Sequence, residues 1–592
     1  MAANVMTVSL QKPRTINDAK AQSNVTLLSA IFRTIQQHTT VQPCSVAHCA
    51  CILPFLLSTS NTVKISSISK YVEISQRPDN AKGDGANEMS AAVSQASSSA
   101  ADSLILTAEQ KEELGGYDFL YDGIVLEGGG NKGLAATGAI RVLEELGYWG
   151  NIKRFAGASA GSMVAALVAV GYNSHDIEAF LRGGISKVFL DARFGKLSFL
   201  PNMLRRYGWH PGKKIFHWFG ERVKEKTGNA DLTFKQLYKR GTELCITVAN
   251  MNTMDCTYCH VKTTPDLPIR KAVQMSGCIP GFFCPVKEKT GNSKDYYVDG
   301  GLLCNYPIHC YDGWFLSTKP EDSFLQRLQP FEQLPKLWDP NKRFSPKNEK
   351  TLGILLYADD EREIMKDDLV QRCKKYIKED EKLDFPNTHL AKNRKEAMQI
   401  IEKKRTEHQT LIESFSKFFK VLRDSDIDHS GTINEQEFEK AMTKPNSEFT
   451  TEDKKQLFGD DFSDAKAFFK QLDTNGDGEL SVRELMAIGE TKGLEIMDHF
   501  RGYSRQEITG MGSYFGTVVN SLLLNMKRIF VQGSDVYRTI GINTGYLDTL
   551  DFKMEEQDQT YMVQQGKLGC MAFLRELIAE NKLVRKTRTA WW

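Results

Sequence analysis

The stretch NIKRFAGASAGSMVAALVAVG, residues 151–171, decides the fold. A short apolar run stops at Gly157-Ala158-Ser159-Ala160-Gly161, and an unbroken run of small and apolar residues extends from Met163 to Val170. This order predicts a strand, a sharp turn and a helix, because glycine on both sides of Ser159 permits a tight backbone bend. Free N–H groups and the helix dipole would then favour negative charge at Ser159, which suits an activated serine. The motif alone fits a tight turn into a buried helix equally well.

The composition limits the classes of protein that this chain can belong to. Its 592 residues are enough for several domains, and its net charge of +2 argues against a nucleic-acid partner. The 12 cysteines follow no framework pattern, so we expect reduced thiols and a cytoplasmic protein. Because no apolar run reaches the roughly 18 residues of a membrane span, any membrane contact is expected to be peripheral.

Residues 1–115 are predicted to form a disordered extension and linker. Acidic residues are almost absent before Glu73, and the stretch from Gly83 to Ser103 is rich in glycine, serine and alanine. An organelle transit segment is the alternative, although the stretch is not rich in arginine.

A glycine-rich loop, EGGGNKG at residues 127–133, follows a strand-like segment and precedes a helical pattern. Its spacing also matches the GxGxxG dinucleotide fingerprint, but the acidic residue expected about 20 positions later is missing. We therefore expect no nucleotide partner. The backbone N–H groups of Gly128, Gly129 and Gly130 are instead predicted to stabilise an oxyanion beside Ser159.

A candidate general base follows a second strand-like run, in the sequence Asp299-Gly300-Gly301. Such a sequence is usually just a turn, but after a GxSxG motif Asp299 could accept the proton of Ser159. A free aspartate with a pKa near 3.9 is a poor base at neutral pH, so we expect partial burial to raise its pKa. The chain order leaves a Ser–Asp–His triad open, with His309 or a later histidine as the third member.

Four motifs together resemble the patatin-like phospholipases in their order and spacing: residues 128–133, 157–161, 276–283 and 299–301. The resemblance continues at residues 351–356, 538–545 and 566–574. It implies a three-layer α/β hydrolase fold with a central sheet, Ser159 as nucleophile, Asp299 as base and residues 128–130 as the oxyanion loop. The catalytic domain would occupy residues 117–365 and 500–582, with a tail at 583–592.

The chain between these two parts has a different character. Residues 366–409 are densely charged and predict a solvated helical connection, and residues 410–495 contain two twelve-residue loops that resemble a calmodulin-type EF-hand pair. Oxygen ligands at this spacing select Ca²⁺, and Ile433 is expected to pair with its counterpart in the second loop. The link between the loops is longer than usual. The predicted ligands are Asp426, Asp428, Ser430, Thr432 and Glu437 in the first loop, and Asp473, Asn475, Asp477, Glu479 and Glu484 in the second.

An apolar stretch from Phe515 to Val531 follows the predicted EF-hand pair. We favour a core helix of the enzyme for this stretch. The alternative is a helix that the EF-hand pair grips when it binds Ca²⁺.

These features together predict a calcium-responsive lipid acyl hydrolase of the phospholipase A or lysophospholipase type. It would cleave fatty acyl esters of membrane lipids through the Ser159–Asp299 dyad, and it would act in the cytoplasm, peripheral to membranes. Two Ca²⁺ ions would bind away from the chemistry. One alternative is a calcium-binding interaction protein on an inactive hydrolase scaffold, and another is a neutral-lipid hydrolase or acyltransferase.

Overall fold

The computed structural model describes residues 105–183, 190–193, 195–290, 293–359, 363–426, 430–444, 447–459, 464–491, 508, 510–549, 551 and 553–586. Most of the expected N-terminal extension and the end of the tail lie outside these residues. Residues 105–114 fold onto the catalytic domain, so the domain begins before residue 117. Thr107 caps the helix Ala108–Leu114 (α1), and the N–H of Ile105 donates to the Glu145 carboxylate at 2.7 Å.

Within the described residues, a central sheet of eight strands runs in the order β12-β9-β1-β2-β4-β8-β7, with β5 paired to β4. The neighbours from β12 to β4 are parallel, whereas β5, β7 and β8 join the sheet antiparallel. Its strands are β1 (Gly123–Leu126), β2 (Arg154–Gly157), β4 (Glu243–Asn250), β5 (Asp255–Cys259), β7 (Val286–Thr290), β8 (Ser293–Asp299), β9 (Thr351–Tyr357) and β12 (Thr539–Asn543). A separate pair consists of β3 (Gly208–His210) and β6 (Gly281–Phe283).

Helices cover both faces of this sheet. Along β1, Ile124 and Leu126 pack into one apolar core and Val125 into another, because successive strand side chains point to opposite faces. The sheet and the two helical layers confirm the predicted three-layer α/β fold. The α-helices described between residues 133 and 276 are α2 (Gly133–Glu145), α3 (Ser159–Val170), α4 (Ser174–Arg182), α5 (Phe199–Arg206), α6 (Lys213–Thr227), α7 (Phe234–Tyr238) and α8 (Ile269–Ser276).

Four short helices follow the last antiparallel strand: α9 (Gly301–Cys304), α10 (Phe324–Arg327), α11 (Leu334–Leu337) and α12 (Pro340–Arg343). The chain then forms α13 (Lys366–Tyr376) and α14 (His389–Arg423), and it returns to the sheet through α19 (Met511–Phe530), β12 and α20 (Glu556–Ala579). Because β12 pairs with β9 in parallel, the two separated parts of the catalytic domain complete one sheet.

The predicted solvated connection is partly wrong at α13. Arg372 is buried there, and its guanidinium donates to the carbonyls of Val536 and Thr539 and to the Glu576 carboxylate at 2.7–2.8 Å. A charged sequence can therefore belong to a core when every donor has an acceptor.

The EF-hand lobe, residues 411–491, has its own apolar core. It contains the C-terminal end of α14 and the helices α15 (Glu435–Thr443), α16 (Thr451–Phe458), α17 (Ala465–Leu472) and α18 (Val482–Thr491). The short strands β10 (Ile433–Asn434) and β11 (Glu479–Leu480) pair antiparallel, with Ile433 opposite Leu480, which confirms the predicted pairing of the two loops. The extra helix α16 accounts for the long link between the loops.

The apolar stretch after the lobe has two environments. Lys527 near the end of α19 is buried, whereas Tyr514, Val518 and Leu522 on the same helix are exposed beside a groove of about 320 Å³. Among the side chains described on this helix, the buried one therefore lies near its C-terminal end. None of the helices in the described part of the chain has the length and apolarity needed to cross a membrane.

Candidate active site

Ser159 occupies a strained turn, which we call the elbow (residues 157–161), between β2 and α3. Its backbone φ of +48° lies in the left-handed region that side chains other than glycine rarely adopt. The flanking glycines are required by close packing. A Cβ on Gly161 would lie 2.5 Å from the carbonyl oxygens of Leu126 and Glu127, and one on Gly157 would lie 2.5 Å from the Gly161 carbonyl. The elbow therefore presses directly against the end of β1.

Asp299, at the end of β8, meets the elbow. Ser159 Oγ donates to Asp299 Oδ2 at 2.6 Å, and the N–H of Gly301 donates to Asp299 Oδ1 at 2.7 Å. Burial raises the pKa of Asp299 to about 7, against the opposing effect of these two hydrogen bonds. The serine and its candidate base are thus in direct contact, and the base titrates near neutral pH.

A second serine, Ser276, holds the elbow in place through hydrogen bonds. The N–H of Ser159 donates to Ser276 Oγ at 2.8 Å, and Ser276 Oγ donates to the carbonyl of Thr247 at 2.7 Å. This chain of hydrogen bonds ties the elbow to β4 at the centre of the sheet. The sequence places Ser276 in a family motif but does not show this role, because its two partners are 117 and 29 residues away.

The glycine loop lies beside Ser159, but its three glycines are not equivalent. The N–H of Gly128 donates to the carbonyl of Asn305 at 3.0 Å, and Asn305 Nδ2 donates back to the carbonyl of Gly128 at 2.9 Å. A Cβ on Gly128 would lie 2.9 Å from the Ser159 Cβ. Gly128 therefore brings the loop against the nucleophile, but its N–H group is engaged and the prediction that it stabilises the oxyanion needs correction.

Gly129 and Gly130 remain as donors. Within the described residues, neither backbone N–H has a hydrogen-bond acceptor. Gly130 has a φ of +54°, and a Cβ there would lie 2.3 Å from the carbonyl of Thr549. This loop conformation is thus available to glycine alone.

A buried ion cluster lies at the start of the glycine loop. It consists of Lys527, Glu127 and Glu363, and we call it the Lys527 cluster. Lys527 Nζ donates to Glu127 Oε1 at 2.7 Å and also contacts the carboxylate of Glu363. Glu127, which is next to Gly128 in the chain, also accepts the N–H of Leu356 at 3.0 Å. Burial by itself would lower the pKa of Lys527, but the two carboxylates outweigh it and raise that pKa. The sequence offers no signal for this pairing across 400 residues.

His309 does not complete a triad in this structure. Its Nε2 is 2.7 Å from the hydroxyl of Tyr258, and its ring stacks on Phe530. Burial lowers the pKa of His309 to about 3. A histidine that stays neutral and bonds to Tyr258 is not available to Ser159 or Asp299, so the geometry favours the dyad over the triad with His309.

In the second EF-hand loop, two of the predicted ligands, Asp473 and Glu484, accept hydrogen bonds from backbone N–H groups of the loop. Asp473 accepts the N–H groups of Gly476, Asp477 and Gly478 at 2.7–3.2 Å. Glu484 accepts the N–H groups of Thr474 and Ser481 at 2.9 and 3.0 Å. An all-oxygen donor set of this kind fits a hard cation such as Ca²⁺.

The first loop is described only in part, since Asp428 lies outside the described residues. Asp426 accepts the N–H groups of Ser430 and Gly431, and Glu437 accepts that of Asn434. The hydroxyl of Thr432 donates to Glu479 at 2.8 Å and links the two loops. In the described part of the chain, no three His, Cys, Asp or Glu side chains are close enough to hold a metal ion.

Comparison with known families finds a match in each of the two regions. The patatin-like phospholipase family matches residues 124–310, and the EF-hand family matches residues 465–488. Among curated proteins, the chain is 37% identical over 195 residues to the uncharacterised protein YqhO of Bacillus subtilis (strain 168), covering 31% of this chain and 64% of that protein. It is 28% identical over 195 residues to the probable lipid hydrolase 463L of Invertebrate iridescent virus 6, covering 32% of this chain and 62% of that one. The chain spans less than two thirds of either relative.

Among solved structures, VipD of Legionella pneumophila is similar at a TM-score of 0.33 and 16% identity, over 77% of this chain and 67% of VipD. ExoU of Pseudomonas aeruginosa, solved in complex with SpcU, is similar at 0.24 and 14% identity, over 74% of this chain and 90% of that chain. At these scores, the fold assignment rests on the sheet itself and on the family match.

Proposed function

We propose that this chain, which carries a patatin-like phospholipase domain and an EF hand, is a calcium-responsive lipid acyl hydrolase. The hydrogen bond of 2.6 Å between Ser159 Oγ and Asp299 Oδ2 carries this proposal. It pairs a nucleophile at a helix N-terminus with a base whose pKa is about 7, so the base can accept a proton at neutral pH.

The reaction begins when Ser159 Oγ attacks the carbonyl carbon of an acyl ester and Asp299 takes the serine proton. The negative charge that develops on the carbonyl oxygen accepts hydrogen bonds from the N–H groups of Gly129 and Gly130. As the intermediate collapses, the C–O bond to the alcohol breaks, and the alcohol leaves with the proton from Asp299. Water then attacks the acyl-serine and gives a proton to Asp299. The bond between the acyl carbon and Ser159 Oγ breaks, Oγ takes the proton from Asp299, and the fatty acid leaves.

The substrate class follows from the family match and from the named relative, a probable lipid hydrolase. We propose fatty acyl esters of membrane lipids as substrates, of the phospholipase A or lysophospholipase type, for an enzyme that associates with membranes peripherally in the cytoplasm. Neutral-lipid hydrolysis and acyl transfer use the same dyad and differ only in the ester or in the acceptor.

In this proposal, Ca²⁺ acts through the segments that join the EF-hand lobe to the catalytic domain. At its entry, Thr388 before α14 donates to Asp558 at 2.6 Å, and Arg394 on α14 pairs with Asp551 at 2.7 Å. After the lobe, α19 brings Lys527 to Glu127, the first residue of the glycine loop. Segments before and after the lobe are thus held by the catalytic domain, and the later one contacts the residue beside Gly128. We propose two Ca²⁺ sites in the lobe, whose occupancy changes the position of α19.

Fatty-acid release from mixed phospholipid vesicles tests the activity, with Ser159→Ala as the blank. Release that requires Ser159, and labelling by a fluorophosphonate probe that the Ser159→Ala variant lacks, are the expected results. If the parent protein neither releases fatty acid nor takes the label, the inactive-scaffold alternative gains support.

The calcium response needs its own variant. Glu484→Gln and Glu437→Gln each remove one charge from the last ligand position of a loop, and we expect Ca²⁺ affinity to fall roughly tenfold or more. Activity measured with Ca²⁺ and with chelator should differ in the parent and converge in the double variant. An unchanged difference in the double variant would remove the lobe from the regulatory proposal and leave the hydrolase intact.

A further inference from the structure

The helix α5 and the residues on either side of it expose large apolar side chains. Leu197 is 85% exposed and Leu204 is 52% exposed, and Leu200 and Tyr207 are also exposed. Leu200 and Leu204 are four residues apart, so they lie on the same face of the helix. A run of exposed leucines costs free energy in water, and it commonly marks an interaction surface.

The charge of the same region is unusual for this chain. Residues 190–220 contain six lysines and arginines and one acidic residue, although the whole chain has a net charge of only +2. The exposed cations Arg205, Arg206, Lys213 and Lys214 form no salt bridge with any residue that the structure describes. The single acid, Asp191, accepts the N–H groups of Gly212 and Lys213 at the start of α6. The region therefore presents an excess of positive charge beside exposed leucines.

Two sets of contacts connect this region to the carboxylate of Asp299. After α5, β3 pairs with β6, and β6 follows Cys278, whose carbonyl accepts the N–H of Asp299 at 2.9 Å. Tyr207 also packs edge-on against Tyr296, with ring centres 5.7 Å apart, three residues before Asp299. A membrane contact at α5 would thus lie within a few residues of the site.

A second exposed apolar region provides the comparison. Leu325 and Leu328 on and after α10 are 78% and 67% exposed. Residues 317–350 around them contain seven cations but also five acidic residues, and Arg327 pairs with Asp322 at 2.6 Å. This region has similar apolar exposure, but its acidic residues leave a net charge of +2, against +5 for residues 190–220, so an anionic membrane attracts it less strongly.

We propose that the docking face, consisting of Leu197, Leu200, Leu204, Arg205, Arg206 and Tyr207, is the surface that binds this protein to anionic lipid membranes. The leucines insert among the acyl chains while the arginines remain at the phosphate level, as in other amphipathic interfacial helices. The proposal rests on the proposed lipid hydrolase function, because it explains how a protein without a spanning helix in its described residues reaches an ester within a bilayer.

The test measures vesicle binding separately from catalysis. The full chain with Ser159→Ala is sedimented with vesicles of phosphatidylcholine, with or without phosphatidylglycerol, in the presence of Ca²⁺ and of chelator. Three double variants are compared with this parent: Leu200→Glu with Leu204→Glu, Arg205→Gln with Arg206→Gln, and the matched control Leu325→Glu with Leu328→Glu. The same double variants with Ser159 intact are assayed on a soluble p-nitrophenyl ester, which requires no membrane.

We expect the leucine pair to lower binding to anionic vesicles about tenfold or more. The arginine pair should lower it roughly fivefold per cation and flatten its dependence on salt. The control pair should bind within about twofold of the parent, and soluble-ester turnover should be unchanged in all three.

Three results would overturn the proposal: a parent that does not bind anionic vesicles, docking-face variants that bind like the parent, or a control pair that loses as much binding. Failure of the hydrolase proposal gives a different pattern. In that case the soluble ester is not turned over by the Ser159-intact parent, while vesicle binding still depends on the docking face.

Discussion

The candidate active site draws its residues from separate segments between Glu127 and Lys527, whereas the predicted ligands of each EF-hand loop lie within twelve consecutive residues. The contacts differ accordingly. Asp473 and Glu484 accept hydrogen bonds from residues at most ten positions away, but Ser159 contacts partners 117 and 140 residues away. A loop motif specifies its own geometry, while the elbow acquires its geometry from the sheet and helices around it.

This comparison predicts that a substitution in the elbow leaves Ca²⁺ binding by the EF-hand loops unchanged. Ser159→Ala should reduce turnover of a soluble ester by roughly 10³-fold or more, because no other group replaces the nucleophile. Ca²⁺ affinity, measured by calorimetry, should not change. Ser162→Ala, one turn further along α3, is the matched control and should retain most of the activity. A change in Ca²⁺ affinity with Ser159→Ala would break the separation between the two regions.

The Lys527 cluster is the exception to this separation, since it joins α19 to the glycine loop. Lys527→Met would leave the buried carboxylates of Glu127 and Glu363 without a cation, which is expected to cost about 3–5 kcal/mol of unfolding free energy. Lys582→Met removes an exposed pair with Glu580 and should cost less than about 1 kcal/mol. Chemical denaturation compares the two variants. Equal losses would mean that the Lys527 cluster is not a structural link.

Close packing at the elbow gives a smaller effect. Gly161→Ala would place a methyl group 2.5 Å from two carbonyl oxygens, and overpacking of this kind typically costs about 1–3 kcal/mol. Gly150→Ala has open space around it and is the control. We expect the melting temperature and the ester turnover to fall in the first variant only. An alanine tolerated at position 161 would show that the elbow can relax away from β1.

The pH dependence of the rate distinguishes the candidate active site from the EF-hand loops without any mutation. Because Asp299 must be deprotonated to accept a proton and its pKa is about 7, kcat/KM on a soluble ester should rise about tenfold per pH unit up to pH 7 and then level off. Hydrogen bonds from Ser481 hold the pKa of Glu484 at about 2, so the loop carboxylate stays ionised over the same range. A flat rate profile between pH 5 and pH 7 would contradict the assignment of Asp299 as the base.

The sequence predicted those features that short segments encode. The strand, turn and helix around Ser159 and the pairing of Ile433 across the loops are present, and so is the three-layer fold that the family resemblance implied. Glycine spacing and alternating oxygen donors act within a few residues, so the pattern is visible before folding. The charged stretch at residues 366–376 was misread for the opposite reason: the acceptors that bury Arg372 lie between Val536 and Glu576.

By itself, therefore, the sequence determined which residues could be the nucleophile, the base and the calcium ligands. The tertiary structure decided how they work together. It buried Asp299 and so raised the pKa of its carboxyl group, paired His309 with Tyr258, and engaged the N–H of Gly128 with Asn305. It also placed Lys527 against Glu127, 400 residues away. Burial and hydrogen bonding depend on atoms that only the folded chain brings together, so no local pattern could specify them.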